Sequence, residues 1–142
     1  MATDILYVED NLDHAELVLR CLERCGVRER VMHVEDGEKA LAVLDSVQAK
    51  QFIRPKVILL DLRLPRVTGI EVLHHVKHTS ELRDIPVVVF STSASVSDIR
   101  DAYENYVNSY VVKPDDFAGL DELTRVLSTF WLECNQVLPR EG

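Results

Sequence analysis

Short segments rich in Ile, Val and Leu alternate along the chain with longer segments in which apolar residues recur at helical spacing. The short segments have the length and composition of buried strands. They lie at 4–8, 30–34, 56–62, 85–90 and 108–112. Because strands that alternate with helices pair in parallel and are covered on both faces, the pattern predicts an α/β protein with a five-stranded parallel sheet.

Helical spacing predicts one helix after each strand. An apolar stripe that stops at Gly26, a residue type that favours helix ends, marks the first helix. The others span 38–47, 69–78, 97–106 and about 117–134, and a short tail follows at 135–142. Ser97 and Asp98 are expected to cap the fourth helix.

Composition narrows the classes of protein that fit this pattern. With 142 residues, 46% of them hydrophobic, we expect residues 1–142 to form a single domain with no output domain attached. A formal net charge of −8 repels nucleic-acid phosphates and anionic lipid, which argues against binding to either. No apolar stretch approaches the roughly 20 residues of a membrane span and no signal-peptide pattern is present, so a cytoplasmic protein is expected.

Polar residues follow four of the predicted strands. In a parallel sheet the carboxyl ends of the strands share one edge, and ligands bind there. The residues at this edge are Glu9 and Asp10 after strand one, Asp61 in strand three, Ser91 and Thr92 after strand four, and Lys113 after strand five. The sequence therefore predicts one site that combines carboxylates, hydroxyls and a lysine.

These residue types predict a phosphoryl-acceptor site. Crowded carboxylates repel one another, and a hard divalent cation offsets the repulsion; Mg²⁺ is favoured because it also keeps positions for water and phosphate oxygens. A lysine and a hydroxyl suit the remaining oxygens of a phosphoryl group. Asp61 ends the most apolar strand and is the expected nucleophile, while Glu9 and Asp10 are expected to serve the cation.

Four motifs occur in order along the chain: VED at 8–10, LLDLRLPRVTG at 59–69, FSTSA at 90–94 and YVVKP at 110–114. Together they resemble the receiver domains of two-component response regulators over nearly the whole chain. The resemblance implies a flavodoxin-like, doubly wound (βα)5 fold with strand order 2-1-3-4-5. It also implies a signalling protein rather than an enzyme, which takes a phosphoryl group from a sensor histidine kinase and assists its own phosphorylation and dephosphorylation.

The resemblance implies roles for the acidic residues, position by position. Asp61 would be the phosphoacceptor and a Mg²⁺ ligand. Asp10 would bind Mg²⁺ directly, and Glu9 would act through water. Arg63 would contribute its main-chain carbonyl to the cation.

The resemblance also implies roles on the fourth and fifth strands. Ser91, rather than Thr92, fills the hydroxyl position, and Lys113 fills the lysine position. Tyr110 falls where the family has a switching aromatic residue, although a half-buried strand aromatic fits the residue equally well. The peptide bond between Lys113 and Pro114 would be cis.

Two further stretches, LYVEDNLDHAEL at 6–17 and STFWLECNQVLPR at 128–140, resemble the small response regulators that partner phytochrome histidine kinases. The donor would then be a phosphohistidine on a light-sensing kinase. This subgroup implies a homodimer through helix four, strand five and helix five, with Phe117, Phe130 and Trp131 as residues to inspect.

Other interpretations remain open. Asp10 with Asn11 could simply cap the first helix. A pseudo-receiver of the same fold would bind proteins constitutively, without taking phosphate, but the site residues argue against it. A metal-dependent phosphatase needs a second aspartate two residues after the nucleophile, where this chain has Arg63. A flavin module would need a hydroxyl- and glycine-rich loop after strand one, where this chain has EDNLDH.

Overall fold

The apolar segments form a parallel sheet at the centre of the structure, a computed structural model that describes residues 3–52 and 54–139. The strands are β1 (Ile5–Val8), β2 (Val31–Val34), β3 (Val57–Leu60), β4 (Val87–Ser91) and β5 (Ser109–Val112). Their order is β2-β1-β3-β4-β5 and every pairing is parallel. The predicted sheet and strand order are confirmed, and β3 lies at the centre.

Five helices connect and follow the strands. They are α1 (Leu12–Arg24), α2 (Gly37–Gln48), α3 (Gly69–Lys77), α4 (Val96–Glu104) and α5 (Phe117–Thr129). A short 3-10 turn at Arg28–Arg30 precedes β2, and a π-helical turn at Phe130–Cys134 continues α5. Within the described part of the chain, no helix has the length and apolar content that crossing a bilayer requires.

The sheet is covered on both faces because successive strand residues point to opposite sides. Leu6, Val8, Ile58 and Leu60 face the helices α2, α3 and α4. Ile5, Tyr7, Leu59 and Phe90 face α1 and α5. Burial on both faces explains why the central strands have nearly continuous apolar sequences.

The C-terminal helical segment, α5 followed by the π-helical turn, extends to residue 134. Its two adjacent aromatic residues differ in exposure, since Phe130 is 48% exposed while Trp131 packs against the core. Of the predicted tail 135–142, residues 140–142 lie outside the described residues.

The fourth helix begins one residue earlier than predicted, and the predicted caps were wrong. The side chain of Ser95, not Ser97 or Asp98, accepts a hydrogen bond from the main-chain N of Asp98 at 3.0 Å. Asp98 cannot act as the cap because it lies in the first turn, where its carboxylate binds side chains of two neighbouring loops. The helix ends before Tyr106, whose φ of 65° is left-handed.

The Lys113–Pro114 bond also differs from the expectation. Among the described residues no peptide bond is cis, so this bond is trans, the isomer that X–Pro bonds favour by about 0.5–1 kcal/mol.

Close packing fixes the loop between β3 and α3. A Cβ atom added at Gly69 would lie 2.3 Å from the main-chain O of Asp61 and 2.5 Å from the Cα of Leu62. The main-chain N of Gly69 also donates to the O of Leu62 at 3.1 Å. The start of α3 therefore lies directly against the backbone of Asp61 and holds that residue in place.

Candidate phosphoryl-acceptor site

Three carboxylates meet where β1 and β3 end. The main-chain N of Glu9 donates to the O of Val34 at 3.1 Å, and that of Asp61 donates to the O of Val8 at 3.1 Å, so the strand pairing continues to these residues. One carboxylate oxygen from each of Glu9, Asp10 and Asp61 lies within 4.8 Å of the others. Glu9 is fully buried and Asp61 is 8% exposed, whereas Asp10 is exposed, so the cluster opens to solvent beside Asp10.

Lys113 brings a buried positive charge to the carboxylates from the far edge of the sheet. Its main-chain N donates to the O of Ser91 at 2.7 Å, which positions it just after β5. Its Nζ hydrogen-bonds the Oε1 of Glu9 and lies 3.7 Å from the Oδ2 of Asp61. The Nζ also lies 5.4 Å from the ring centroid of Phe90. The ammonium is thus shared between two acids, and Glu9 is its nearer partner.

Burial dominates the electrostatics of the cluster. It raises the pKa of Glu9 to about 7, assisted by a hydrogen bond with Asp61 and opposed by the Lys113 ammonium. Burial, together with the charges of Glu9 and Asp61, also raises the pKa of Tyr7 well above its ordinary value. The main-chain N of Asn11 donates to Oε2 of Glu9 at 3.2 Å. The site therefore holds more negative charge than Lys113 alone can neutralise.

The two hydroxyl candidates after β4 have different environments. Ser91 is 1% exposed and its Oγ accepts a hydrogen bond from the main-chain N of Ser93 at 3.1 Å. Thr92 is exposed and lines a cavity that Lys113 and Phe117 also border. Neighbouring strand residues point to opposite faces of the sheet. Ser91, two residues after Val89 in β4, therefore lies on the same face as Val89.

A second set of polar contacts lies beside the carboxylates. The main-chain N of Arg63 donates to Oδ1 of Asp61 at 3.0 Å. The guanidinium of Arg63 binds Oδ2 of Asp98 in α4 at 3.1 Å. The hydroxyl of Ser93 donates to the same oxygen at 2.5 Å, and the Tyr110 hydroxyl donates to the main-chain O of Ser93 at 2.8 Å.

The structure brings together four of the predicted site residues, namely Glu9, Asp10, Asp61 and Lys113. Ser91 ends the strand beside β3. The described contact of Arg63 with Asp61 uses its main-chain N. Tyr110 contacts the loop that follows Ser91 rather than the carboxylates.

Sequence reasoning missed three residues around the site. The Nε2 of His33 donates to the main-chain O of Glu9 at 2.8 Å. Ser93 and Asp98 link the loops after β4 and β3. Ser93 belongs to the FSTSA motif but carried no role in it, and nothing in the sequence indicates that Asp98 or His33 reaches the site.

The donor set suits both a hard cation and a phosphoryl group. All three clustered ligands are carboxylate oxygens, which Mg²⁺ and similar cations prefer, and the partly exposed opening beside Asp10 leaves room for further oxygen ligands. The buried ammonium of Lys113 and the hydroxyl of Ser91 supply charge and hydrogen bonding for an incoming anion.

Comparison with known proteins identifies the same type of domain. The chain matches the model of the response regulator receiver domain over residues 5–125. It is 45% identical over 132 residues to the probable methanogenesis regulatory protein FilR2 of Methanothrix harundinacea, covering 93% of this chain and 85% of that protein. It is 36% identical over 130 residues to the response regulator Rcp1 of Synechocystis sp., covering 91% of this chain and 88% of that protein.

Solved structures agree with these matches. The crystal structure of the phosphorylated cyanobacterial phytochrome response regulator RcpA superposes with a TM-score of 0.88 at 35% identity, covering 98% of this chain and 100% of that one. The Mn²⁺-bound form of Rcp1 superposes with a TM-score of 0.84 at 34% identity, covering 95% and 98% of the two chains.

The raised pKa of Glu9 predicts a pH dependence of stability. In the absence of divalent cations, folded Glu9 keeps its proton up to about pH 7, whereas the unfolded chain releases it near 4.5. The folded state binds more protons between these values, so the free energy of unfolding should fall as pH rises from about 4.5 to 7, with a limiting slope of about 1.4 kcal/mol per pH unit. Glu9→Gln should remove this contribution.

Urea unfolding followed by fluorescence of the single tryptophan, Trp131, measures the effect at several pH values with a chelator present. Glu104→Gln, at an exposed position, is the matched control and should follow the wild type. Adding a divalent cation should stabilise the wild type more at high pH than at low pH, because the cation competes with protons for the carboxylates. Parallel pH profiles for wild type and Glu9→Gln would contradict the assignment.

Proposed function

The chain belongs to the response regulator receiver family, and from this we propose that it accepts a phosphoryl group from a histidine kinase on Asp61. The resemblance to receiver domains and to Rcp-type phytochrome response regulators is confirmed. The chain is thus a signalling protein of two-component systems. The observation that supports Asp61 as acceptor is its position: it ends the central strand, and the buried ammonium of Lys113 lies 3.7 Å from its Oδ2.

The proposed reaction transfers a phosphoryl group between two side chains. A carboxylate oxygen of Asp61 attacks phosphorus, the bond between phosphorus and the kinase imidazole nitrogen breaks, and that nitrogen keeps the electron pair. Lys113 balances charge on one phosphoryl oxygen, and the hydroxyl of Ser91 donates to another. In phosphoryl transfer the protein mainly orients the phosphoryl group and stabilises its charge. A nucleophilic carboxylate, a lysine and a hydroxyl are the residue types that this reaction requires.

Receiver domains bind divalent metal, and the Mn²⁺-bound form of Rcp1 is an example within the subgroup. We propose Mg²⁺ for this chain, held by Asp10 and Asp61 directly, by Glu9 through water and by the main-chain carbonyl of Arg63. When bound, Mg²⁺ would neutralise part of the acidic cluster and lower the repulsion that an anionic donor meets. The three oxygens within 4.8 Å of one another fit this ion.

The proposed switch involves Ser91 and Tyr110. The Ser91 hydroxyl accepts from the main-chain N of Ser93, so its proton is available to a phosphoryl oxygen. The Tyr110 hydroxyl donates to the O of the same residue, Ser93. A movement of Ser91 toward the phosphoryl group would therefore shift Ser93 and change the hydrogen bond of Tyr110 on β5. Phosphorylation can shift the population only through contacts that differ between two states, and these contacts are the candidates.

An apolar cavity beside the acidic site suits the kinase. A cavity of about 210 Å³ is lined by Leu17, Thr92, Lys113, Pro114 and Phe117 among others. Phe117 is 41% exposed and Leu17 is 38% exposed, so both offer apolar surface to a partner at the edge of this cavity. A kinase helix that carries the phosphohistidine would cover these residues while presenting its imidazole to Asp61.

A second apolar surface suits a second copy of the chain. β5 is an edge strand, and large exposed apolar side chains lie on it and on both flanking helices. They are Val96, Tyr103, Val112, Val126 and Phe130. An edge strand flanked by apolar helix faces is typical of an interface, and we propose a homodimer through α4, β5 and α5.

Incubation with acetyl phosphate and Mg²⁺ tests the acceptor directly. The wild type should gain the mass of one phosphoryl group, and Asp61→Asn should gain none, because the amide is not a nucleophile of comparable strength. Intact-mass spectrometry measures both. The absence of a mass gain in the wild type would support the pseudo-receiver alternative, and a gain that survives in Asp61→Asn would exclude Asp61.

Phosphotransfer from purified kinases tests the donor. An autophosphorylated phytochrome-type histidine kinase should transfer its phosphoryl group faster than a histidine kinase without a photosensory domain. Phe117→Asp should slow this transfer by about tenfold or more by placing a charge in the contact, yet leave phosphorylation by acetyl phosphate unchanged. Equal transfer from both kinases would contradict the phytochrome assignment. The comparison of the two kinases matters because one relative, FilR2, is named for methanogenesis rather than for a phytochrome.

Sedimentation velocity before and after phosphorylation tests the homodimer. Val126→Asp, on exposed α5, should lower the dimer fraction at a given concentration, because a charge cannot be buried unpaired at an interface. Leu12→Asp, at an even more exposed position on α1, should leave it unchanged. A monomeric wild type in both phosphorylation states would exclude the dimer.

A further inference from the structure

One carboxylate oxygen joins the two loops that border the site. Arg63 lies two residues after Asp61, and Ser93 lies two residues after Ser91. The Nη2 of Arg63 binds Oδ2 of Asp98 at 3.1 Å, and the hydroxyl of Ser93 donates to the same oxygen at 2.5 Å. Asp98, in the first turn of α4, therefore restrains both loops at once.

The backbone of each restrained residue contacts the side chain of its site neighbour. The main-chain N of Arg63 donates to Oδ1 of Asp61 at 3.0 Å, and that of Ser93 donates to the hydroxyl of Ser91 at 3.1 Å. The side chains of these two residues are held by Asp98 while their amides hold the reacting groups. A change at Asp98 should thus reach Asp61 through residues already in contact with it.

We propose that Asp98 is a positioning residue that holds the guanidinium of Arg63 on α4, and that a phosphoryl group at Asp61 competes with Asp98 for it. The proposal rests on Asp61 being the phosphoacceptor. A guanidinium binds carboxylate and phosphate through the same planar donors, so the two anions are interchangeable partners. The phosphoryl group adds a charge of about −1.5 to −2, which makes it the stronger competitor.

The solvent exposure of the ion pair between Arg63 and Asp98 permits a phosphoryl group to replace Asp98 as the partner of Arg63. The Arg63 side chain is 69% exposed and that of Asp98 is 28% exposed. Ion pairs this open to water are weak, so a new anion nearby can displace one partner. Asp98 would then keep Ser93 as its partner and lose Arg63, which couples the charge at Asp61 to the start of α4, a helix of the proposed dimer face.

Phosphorylation kinetics of five variants test the proposal. Each is incubated with Mg²⁺ and a series of acetyl phosphate concentrations, and the phosphorylated fraction is followed by intact mass. In the reaction a carboxylate oxygen of Asp61 forms a bond to phosphorus, the bond from phosphorus to the acetate oxygen breaks, and acetate leaves with the electron pair. The variants are Asp98→Asn, Arg63→Met, the double variant that combines these two changes, Asp101→Asn and Asp98→Glu.

Asp98→Asn should phosphorylate about two- to fivefold faster at subsaturating donor, because freed Arg63 attracts the anionic donor. The double variant should match Arg63→Met alone. Asp101→Asn removes the same charge from an exposed position of the same helix and should match the wild type. Asp98→Glu keeps the carboxylate and should restore the wild-type rate.

The outcomes separate this inference from the proposed function. No mass gain in the wild type overturns both. A wild type that gains mass, with Asp98→Asn at the same rate, overturns the role of Asp98 alone. An acceleration that persists in the Arg63→Met background also overturns it, since a purely structural effect on α4 does not require the guanidinium.

Discussion

The geometry of the acidic site depends on one buried contact across the sheet, the hydrogen bond that Lys113 donates to Glu9. Glu9 follows β1 and Lys113 follows β5, 104 residues later, and the ammonium reaches the carboxylate only when the intervening strands are paired. Burying such a pair costs desolvation of both ions, which their attraction repays only partly. The two apolar layers therefore supply the stability, and the pair determines where Asp61 meets a positive charge. Loss of Glu9 would leave the Lys113 ammonium with Asp61, 3.7 Å away, as its acidic partner.

The fold could be predicted because burial on both faces leaves a simple signature. The strand residues Val57–Leu60 are all buried, so their segment contains no polar interruption. Helix boundaries were predicted less well, and α4 shows the physical reason. Ser95, Ser97 and Asp98 can all cap a helix by type, and the choice depends on which of them the neighbouring loops already occupy. Since Asp98 binds Arg63 and Ser93, Ser95 is left to cap the helix.

The candidate site could be predicted as far as backbone geometry determines it. Asp61 and Lys113 end strands of one parallel sheet, and a shared edge follows from that topology alone. The contacts of Asp98 could not be predicted, because a long arginine side chain on a loop has many possible partners and the sequence does not rank them. The trans bond before Pro114 is a similar case. The family pattern implied cis, but the free-energy difference between isomers is small enough for local packing to decide.

A negative charge added at Asp61 must be balanced by groups that already have other hydrogen-bond or ionic partners. Among the described residues Lys113 is the only buried cation, and its nearer partner is Glu9 rather than Asp61. A phosphoryl group would draw Lys113 toward Asp61 and would leave Glu9 less well paired, a condition that favours proton uptake or cation binding at Glu9. Ser93 connects three residues around the site through hydrogen bonds. Its amide binds Ser91, its carbonyl binds Tyr110 and its hydroxyl binds Asp98. The acidic site and the face formed by α4 and β5 therefore share Ser93 as a common hydrogen-bond partner.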